Sequence, residues 1–355
     1  MRSTSDSSLE LSSLREFAGK VAIASTLHEP MQSLLPAISR IASPLKDLGL
    51  EWHFAMTDAT RKNGPNPQGF YNILSDHFKV CVDKEVFPYF PREDMIEANH
   101  IGALRLALES DKPYVFYGDM DRLCLGFNYY PDETQANLNT ALNAVDGKNN
   151  IAVLGRSPHA INTHLSSLVL TEQVFHHFYN AHVKTKGFFD VASAAYIVSS
   201  DKLRRAIETY NGGEFLGVRC NFPEPKILFK MVKDSGSEIV PIKTHQMLRY
   251  EAPEKMRNDG RLKIANHVWT PEGYDQVTLA SRSVQRALTQ NPAEWNLRFT
   301  TLHQYLGVLN QLWIQPRGLK DAEIESTMGE IAEFNGKVSV DEYCKRACEL
   351  FNRYP

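Results

Sequence analysis

Tyr114-Val115-Phe116-Tyr117-Gly118-Asp119-Met120-Asp121-Arg122 is the stretch that decides the fold class. An unbroken apolar and aromatic run ends in two carboxylates one residue apart. So short and so apolar a run reads as a strand buried on both faces, which is the habit of parallel sheets covered by helices. Its C-terminal end is expected to deliver Asp119 and Asp121 to a loop. Two carboxylates so placed can chelate a hard divalent cation, directly or through water. Magnesium and manganese accept such oxygen ligands and commonly bridge a protein to substrate phosphates. A solvated turn or a helix N-cap would use the same residues, so the flanking sequence has to discriminate.

Working outward, the helix-length pattern Asp94 to Ser110 precedes this strand and carries His100 and Arg105. Upstream, Lys20 to Ser25 reads as a first buried strand, followed by the loop Thr26 to Pro30. Apolar residues at helical spacing then run from Met31 to Leu48, where Pro36 and Pro44 would limit or break a helix. Glu51 to Met56 is a second strand ending in Thr57-Asp58-Ala59-Thr60, and Arg61 to Gln68 is a polar loop. Downstream, Ile151 to Gly155 and Glu238 to Lys243 are strands, Glu172 to Tyr179 is helical, and a helix begins near Ser200. Strands alternating with helices predict an α/β fold with a mainly parallel sheet flanked by helices. Ligands then bind beyond the carboxyl ends of the strands. Glu29, Asp58, Asp119 and Asp121 all fall just after such ends.

At 355 residues the chain can hold one large domain with an appendage, or two domains. We expect a polar tail over residues 1–16, a main domain over 17–260 and a helical C-terminal extension over 261–355. A net charge of −3 gives no bulk attraction for nucleic acid, and no nucleic-acid partner is expected. Five scattered cysteines do not form a disulfide framework. The N-terminus lacks the apolar core of a signal peptide, and no apolar run is long enough to span a bilayer. These features predict a reduced, cytoplasmic setting.

The order of motifs resembles a nucleotide-sugar glycosyltransferase of the GT-A fold. Ser25-Thr26-Leu27-His28-Glu29-Pro30 is similar to the loop that follows the first strand in those enzymes, with His28 where Asn is usual. Thr57-Asp58-Ala59-Thr60 matches the acidic loop that reads the base or ribose. Ile101 to Leu108, with Arg105, matches the helix before the Asp-x-Asp strand. Gly118-Asp119-Met120-Asp121-Arg122-Leu123 followed by Tyr129-Tyr130-Pro131-Asp132-Glu133, and Leu248 to Pro253 later, are similar to an incompletely characterised bacterial branch of glycosyltransferase-like proteins. The resemblance spans roughly residues 18–260.

It implies a nucleotide-diphosphate sugar donor, an acceptor the sequence does not name, and Mn2+ or Mg2+. Thr26, Glu29, Asp58, Arg105, Asp119 and Arg122 would bind the nucleotide sugar. Asp119, Asp121 and the late His245 would hold the metal. Asp190, among small residues, and Glu224, between two prolines, are the two candidate catalytic bases. His176, His177 and His182 do not share one helical face and read as packed or solvated. Two rival readings remain. One is an inert relative that keeps the scaffold for binding. The other is a sugar-phosphate nucleotidyltransferase, disfavoured because Ala24 to Pro30 contains no glycine for a phosphate loop.

Overall fold

Strand β1 (Val21–Leu27) is buried along its whole length, and its two faces differ in size. Val21, Ile23 and Leu27 point into a core of branched and aromatic side chains, whereas Ala22 and Ala24 occupy the opposite face. Small residues on that face let a helix lie close against the sheet. The computed structural model describes residues 11–27, 35–56, 61–62, 67–82, 95–157, 160, 172, 176, 190, 192–208 and 223–248.

Beyond a short 3-10 helix (Ser12–Leu14), the elements run α1 (Arg15–Lys20), β1, α2 (Leu35–Asp47), β2 (Glu51–Met56), α3 (Pro67–His77) and β3 (Lys79–Val82). Then follow α4 (Met95–Leu108), β4 (Tyr114–Gly118), α5 (Met120–Tyr129), α6 (Pro131–Val145) and β5 (Asn150–Gly155). The last described elements are β6 (Ala195–Ser199), α7 (Ser200–Glu208), α8 (Pro223–Ser235) and β7 (Glu238–Lys243).

The strands form one seven-stranded sheet in the order β3-β2-β1-β4-β6-β5-β7. Among the described strands only β6 runs against its neighbours, pairing antiparallel with β4 and β5. The carboxyl ends of the other six strands therefore share one edge with the amino end of β6. The α/β class with a mainly parallel sheet agrees with the sequence reading. Helices α1, α2, α3, α5 and α6 cover one face, and α4, α7 and α8 the other. Trp52, Phe54, Phe70, Phe116 and Phe127 fill the first interface. Trp52 donates its indole N–H to Ser25 Oγ at 2.9 Å, and Ser25 in turn donates to the Gly118 carbonyl, so β2, β1 and β4 are tied by one polar chain inside the apolar layer. Full burial of each such ring is worth roughly 2–3 kcal/mol.

Several local expectations change. Residues 11–16, expected in the tail, contribute Leu11 and Leu14 to the core. Pro36 falls in the first turn of α2, where a missing N–H costs nothing. Pro44 sits inside α2, which nevertheless continues to Asp47 because Ile38, Ile41, Ala42 and Leu45 bury one face. The short edge strand β3 and the antiparallel β6 escape sequence patterning. Asp119 and Asp121 enter a helix instead of a loop: Asp119 is the N-cap of α5, and Asp121 lies in its first turn. The expected helix over Glu172 to Tyr179 and the helical extension over 261–355 lie outside the described residues, apart from Glu172 and His176.

Candidate active site

Gly118 is where β4 hands over to α5. A Cβ there would stand 2.6 Å from Phe116 Cε1 and 2.8 Å from Leu123 Cδ1, so only glycine lets the helix start this close to the strand. The tight turn places Asp119 and Asp121 at the carboxyl edge of the sheet, at a helix amino terminus whose dipole favours negative charge.

The two acids have different surroundings. Asp119 is one-fifth exposed, with Arg122 Nη2 3.1 Å from its Oδ2 and the Tyr117 hydroxyl 3.5 Å from its Oδ1. Tyr117 also lies 3.3 Å from Thr26 Oγ1, which joins the end of β1 to the same cluster. Asp121 is buried and accepts the Arg122 backbone N–H at 2.8 Å. Burial and the neighbouring Asp119 raise its pKa to about 7, against the opposing pull of Arg122. A carboxyl in that condition is one that a cation would stabilise in its charged form.

Arg122 is itself buried and donates through Nη1 to the Ser193 carbonyl, just before β6. Ser193 donates its N–H to the Asp190 carbonyl at 3.2 Å. Between Ser193 and β6, Ala194 holds the left-handed conformation at φ 48°, a strained state for a residue with a Cβ.

Asp190 is the hub of a second buried cluster. Its carboxylate accepts from Arg156 Nε at 2.6 Å, Arg156 Nη2 at 2.7 Å and the Arg156 backbone N–H at 3.0 Å. His176 Nε2 lies 2.9 Å away, and Arg156 also reaches Glu172 at 2.7 Å. Burial pushes the Asp190 carboxyl up, but Arg156 and His176 outweigh it and hold the group well below the usual carboxylate range. Gly155 makes room for this arrangement, since a Cβ there would be 3.2 Å from Asp190 Cβ. A carboxylate so fully engaged is a poor proton acceptor, which weighs against Asp190 as the base.

His245 follows β7 on the same edge. It is exposed, and its backbone is fixed: its N–H donates to Glu133 at 2.7 Å, and its carbonyl accepts Ser157 Oγ at 2.7 Å. Among the described residues no three His, Cys, Asp or Glu side chains gather as a metal-holding group, so Asp119, Asp121 and His245 are not a preformed ligand triad. The acid pair alone still fits a hard cation whose remaining ligands come from phosphate and water.

Arg105 is a correction. It lies near the carboxyl end of α4, at the opposite edge of the sheet. There it lines a cleft of about 320 Å3 with Leu108, Glu109, Arg204, Ile207 and Glu208. The helix runs back along the sheet, so only its amino-terminal half reaches the site. His100 shows this, stacking on Tyr117 with ring centroids 3.5 Å apart. Glu224 is in the first turn of α8, whose other end leads into β7. Its side chain, like Glu29 and Asp58 altogether, lies outside the described residues.

Sequence reasoning thus gave no site role to Tyr117 or Arg156, and it read His176 as packed or solvated without finding its partner; the residue is packed. Arg156 carried a usable signal, following a buried strand that ends in glycine. His176 carried none, because its partner is fourteen residues away in sequence and is met only through the fold.

No family model matches the chain, and no curated protein matches it. Among solved structures it is similar to glucosyl-3-phosphoglycerate synthase from M. tuberculosis, at 10% identity over 86% of this chain and 85% of that one, with a TM-score of 0.46. The same enzyme in complex with Mn2+, uridine diphosphate and phosphoglyceric acid aligns at 9% identity over 65% of this chain and 72% of that one, with a TM-score of 0.39. The α/β class follows from the strand order and directions given above. No helix among the described residues is long and apolar enough to cross a membrane.

Proposed function

We propose that this chain is a metal-dependent glycosyltransferase that moves a sugar from a nucleotide-diphosphate donor to an acceptor hydroxyl. The observation that carries the reading is the acid pair Asp119 and Asp121 at the amino terminus of α5, on the sheet edge where the carboxyl ends of six strands converge. In transfer, the bond between the anomeric carbon and the diphosphate oxygen breaks. A new bond forms to the acceptor oxygen, and the acceptor proton passes to a base. Mn2+ or Mg2+ at the acid pair would neutralise charge on the departing diphosphate. Thr26 and Asp119 would face the donor, and Arg122 would hold Asp119 in place through the 3.1 Å ion pair. Glu29 and Asp58 are proposed to complete the nucleotide pocket.

Glu224 is the better base of the two. Asp190 is committed to Arg156 and His176, and its depressed pKa works against accepting a proton. It is better suited to positioning the wall along which an acceptor approaches. His245 is proposed as an additional metal ligand only once donor is bound.

That same commitment of Asp190 favours a second reading, an inert protein that binds a nucleotide sugar without transferring it. Incubation with nucleotide-diphosphate sugars and Mn2+ separates the two. Release of nucleoside diphosphate that depends on Asp121 supports transfer, and tight binding without turnover supports the inert scaffold.

A further inference from the structure

Asn99 is 1% exposed, and neither its Nδ2 nor its Oδ1 has a hydrogen-bond partner. Buried carboxamides in native proteins are almost always satisfied, and one with both ends unmet is destabilising. Its place in the fold gives a reason for it. Asn99 lies in the half of α4 that reaches the strand carboxyl edge, next to His100, whose ring stacks on Tyr117. Tyr117 in turn approaches Thr26 and Asp119. Leu108, which faces α7 in the cleft described above, is nine residues on. That is about 180° round a regular helix, so Asn99 turns away from α7, toward the β1–β2 side on which α4 packs.

We propose that the Asn99 carboxamide reads the nucleobase of the bound donor. This rests on the nucleotide-sugar reading of the site. Complementarity selects the base over the diphosphate and its cation. Phosphate offers only acceptors and would leave Oδ1 unmet. A cation would leave Nδ2 unmet. A nucleobase edge offers a donor and an acceptor side by side in one plane, which satisfies both ends of a carboxamide at once. An uncharged reader inside a water-excluded site also discriminates strongly, because the wrong edge leaves buried groups unpaired.

The test is calorimetric titration of the full chain with UDP, CDP, ADP, GDP and inorganic diphosphate, each with Mn2+. It compares the parent with Asn99→Leu and Asn99→Asp. The parent is expected to prefer one base. Asn99→Leu should bind that nucleotide roughly 10- to 100-fold more weakly and level the panel, while inorganic diphosphate binds as before. Asn99→Asp, which exchanges a donor for an acceptor, should reorder the bases. Asn99→Leu should also melt at or above the parent temperature, since it removes an unmet group. Unchanged nucleotide binding in both variants would overturn the assignment. So would an equal loss for all four nucleotides, which would point to the ribose. If the parent binds neither nucleotides nor inorganic diphosphate, the donor-site reading itself fails and the base assignment falls with it.

Discussion

The Arg122 guanidinium lies 3.1 Å from the Asp119 carboxylate and at the same time holds the Ser193 carbonyl. The metal-side acid and the strained segment before β6 are thus fixed by one buried side chain. From the sequence, Arg122 could pair with phosphate or with a helix acid; the geometry is the second, an ion pair to the N-cap acid Asp119. Arg122→Met should lower stability in urea by about 3 kcal/mol at pH 7, because a buried charge pair loses one member. A loss below about 1 kcal/mol would show that the pair is not structural.

Asp190 leads to a related expectation. Asp190→Asn leaves Arg156 buried beside a neutral amide and should cost about 3–5 kcal/mol. Pairing it with Arg156→Met should cost less than the two single changes together. The folded pKa of Asp190 is depressed, so its stabilisation is present above the unfolded carboxylate value and fades as pH falls toward the folded one. Additive losses across the cycle would contradict the coupling.

What was legible in the sequence is the part written in continuous runs. The strand Tyr114–Gly118 and the acids after it could be read because a short all-apolar run ending in charge fits a buried strand and little else. What could not be read depends on packing. Arg105 has good helical spacing, but its end of α4 faces the wrong edge, and periodicity does not say which end of a helix meets a ligand. The strand β6 is short and preceded by small residues, so nothing marked its reversed direction. The clamp on Asp190 joins residues 156, 176 and 190, which are distant in sequence and meet through the fold.

Gly118 ties fold to site. Gly118→Ala would bring a Cβ within 2.8 Å of Leu123 and closer still to Phe116. The start of α5 must then move. The expected cost is about 1–3 kcal/mol, with weaker Mn2+-dependent nucleotide binding. A variant that binds as the parent does would show that the placement of the acids tolerates this shift.

His53 gives a pH dependence independent of the site. It is 1% exposed, and neither ring nitrogen has a hydrogen-bond partner. Burial, with Lys79 nearby, lowers its pKa from 6.5 to about 4. Glu51 lies 3.6 Å away, but it is partly exposed and screened, so burial prevails. The unfolded chain therefore binds a proton more readily between those values. This single group should remove about 3 kcal/mol of stability as pH falls from 7 to 4. His53→Leu should flatten that part of the urea-derived stability profile. A profile of unchanged slope would mean the imidazole is not held neutral.

The central claim is that Asp119 and Asp121 bind a nucleotide's phosphates through a divalent cation. The direct measurement is calorimetric titration of nucleoside diphosphate with and without Mn2+, in the parent, Asp119→Asn and Asp121→Asn. The parent should bind only with Mn2+, and each variant should lose at least tenfold in affinity while melting near the parent temperature. Mn2+-dependent binding that persists unchanged in both folded variants would contradict it.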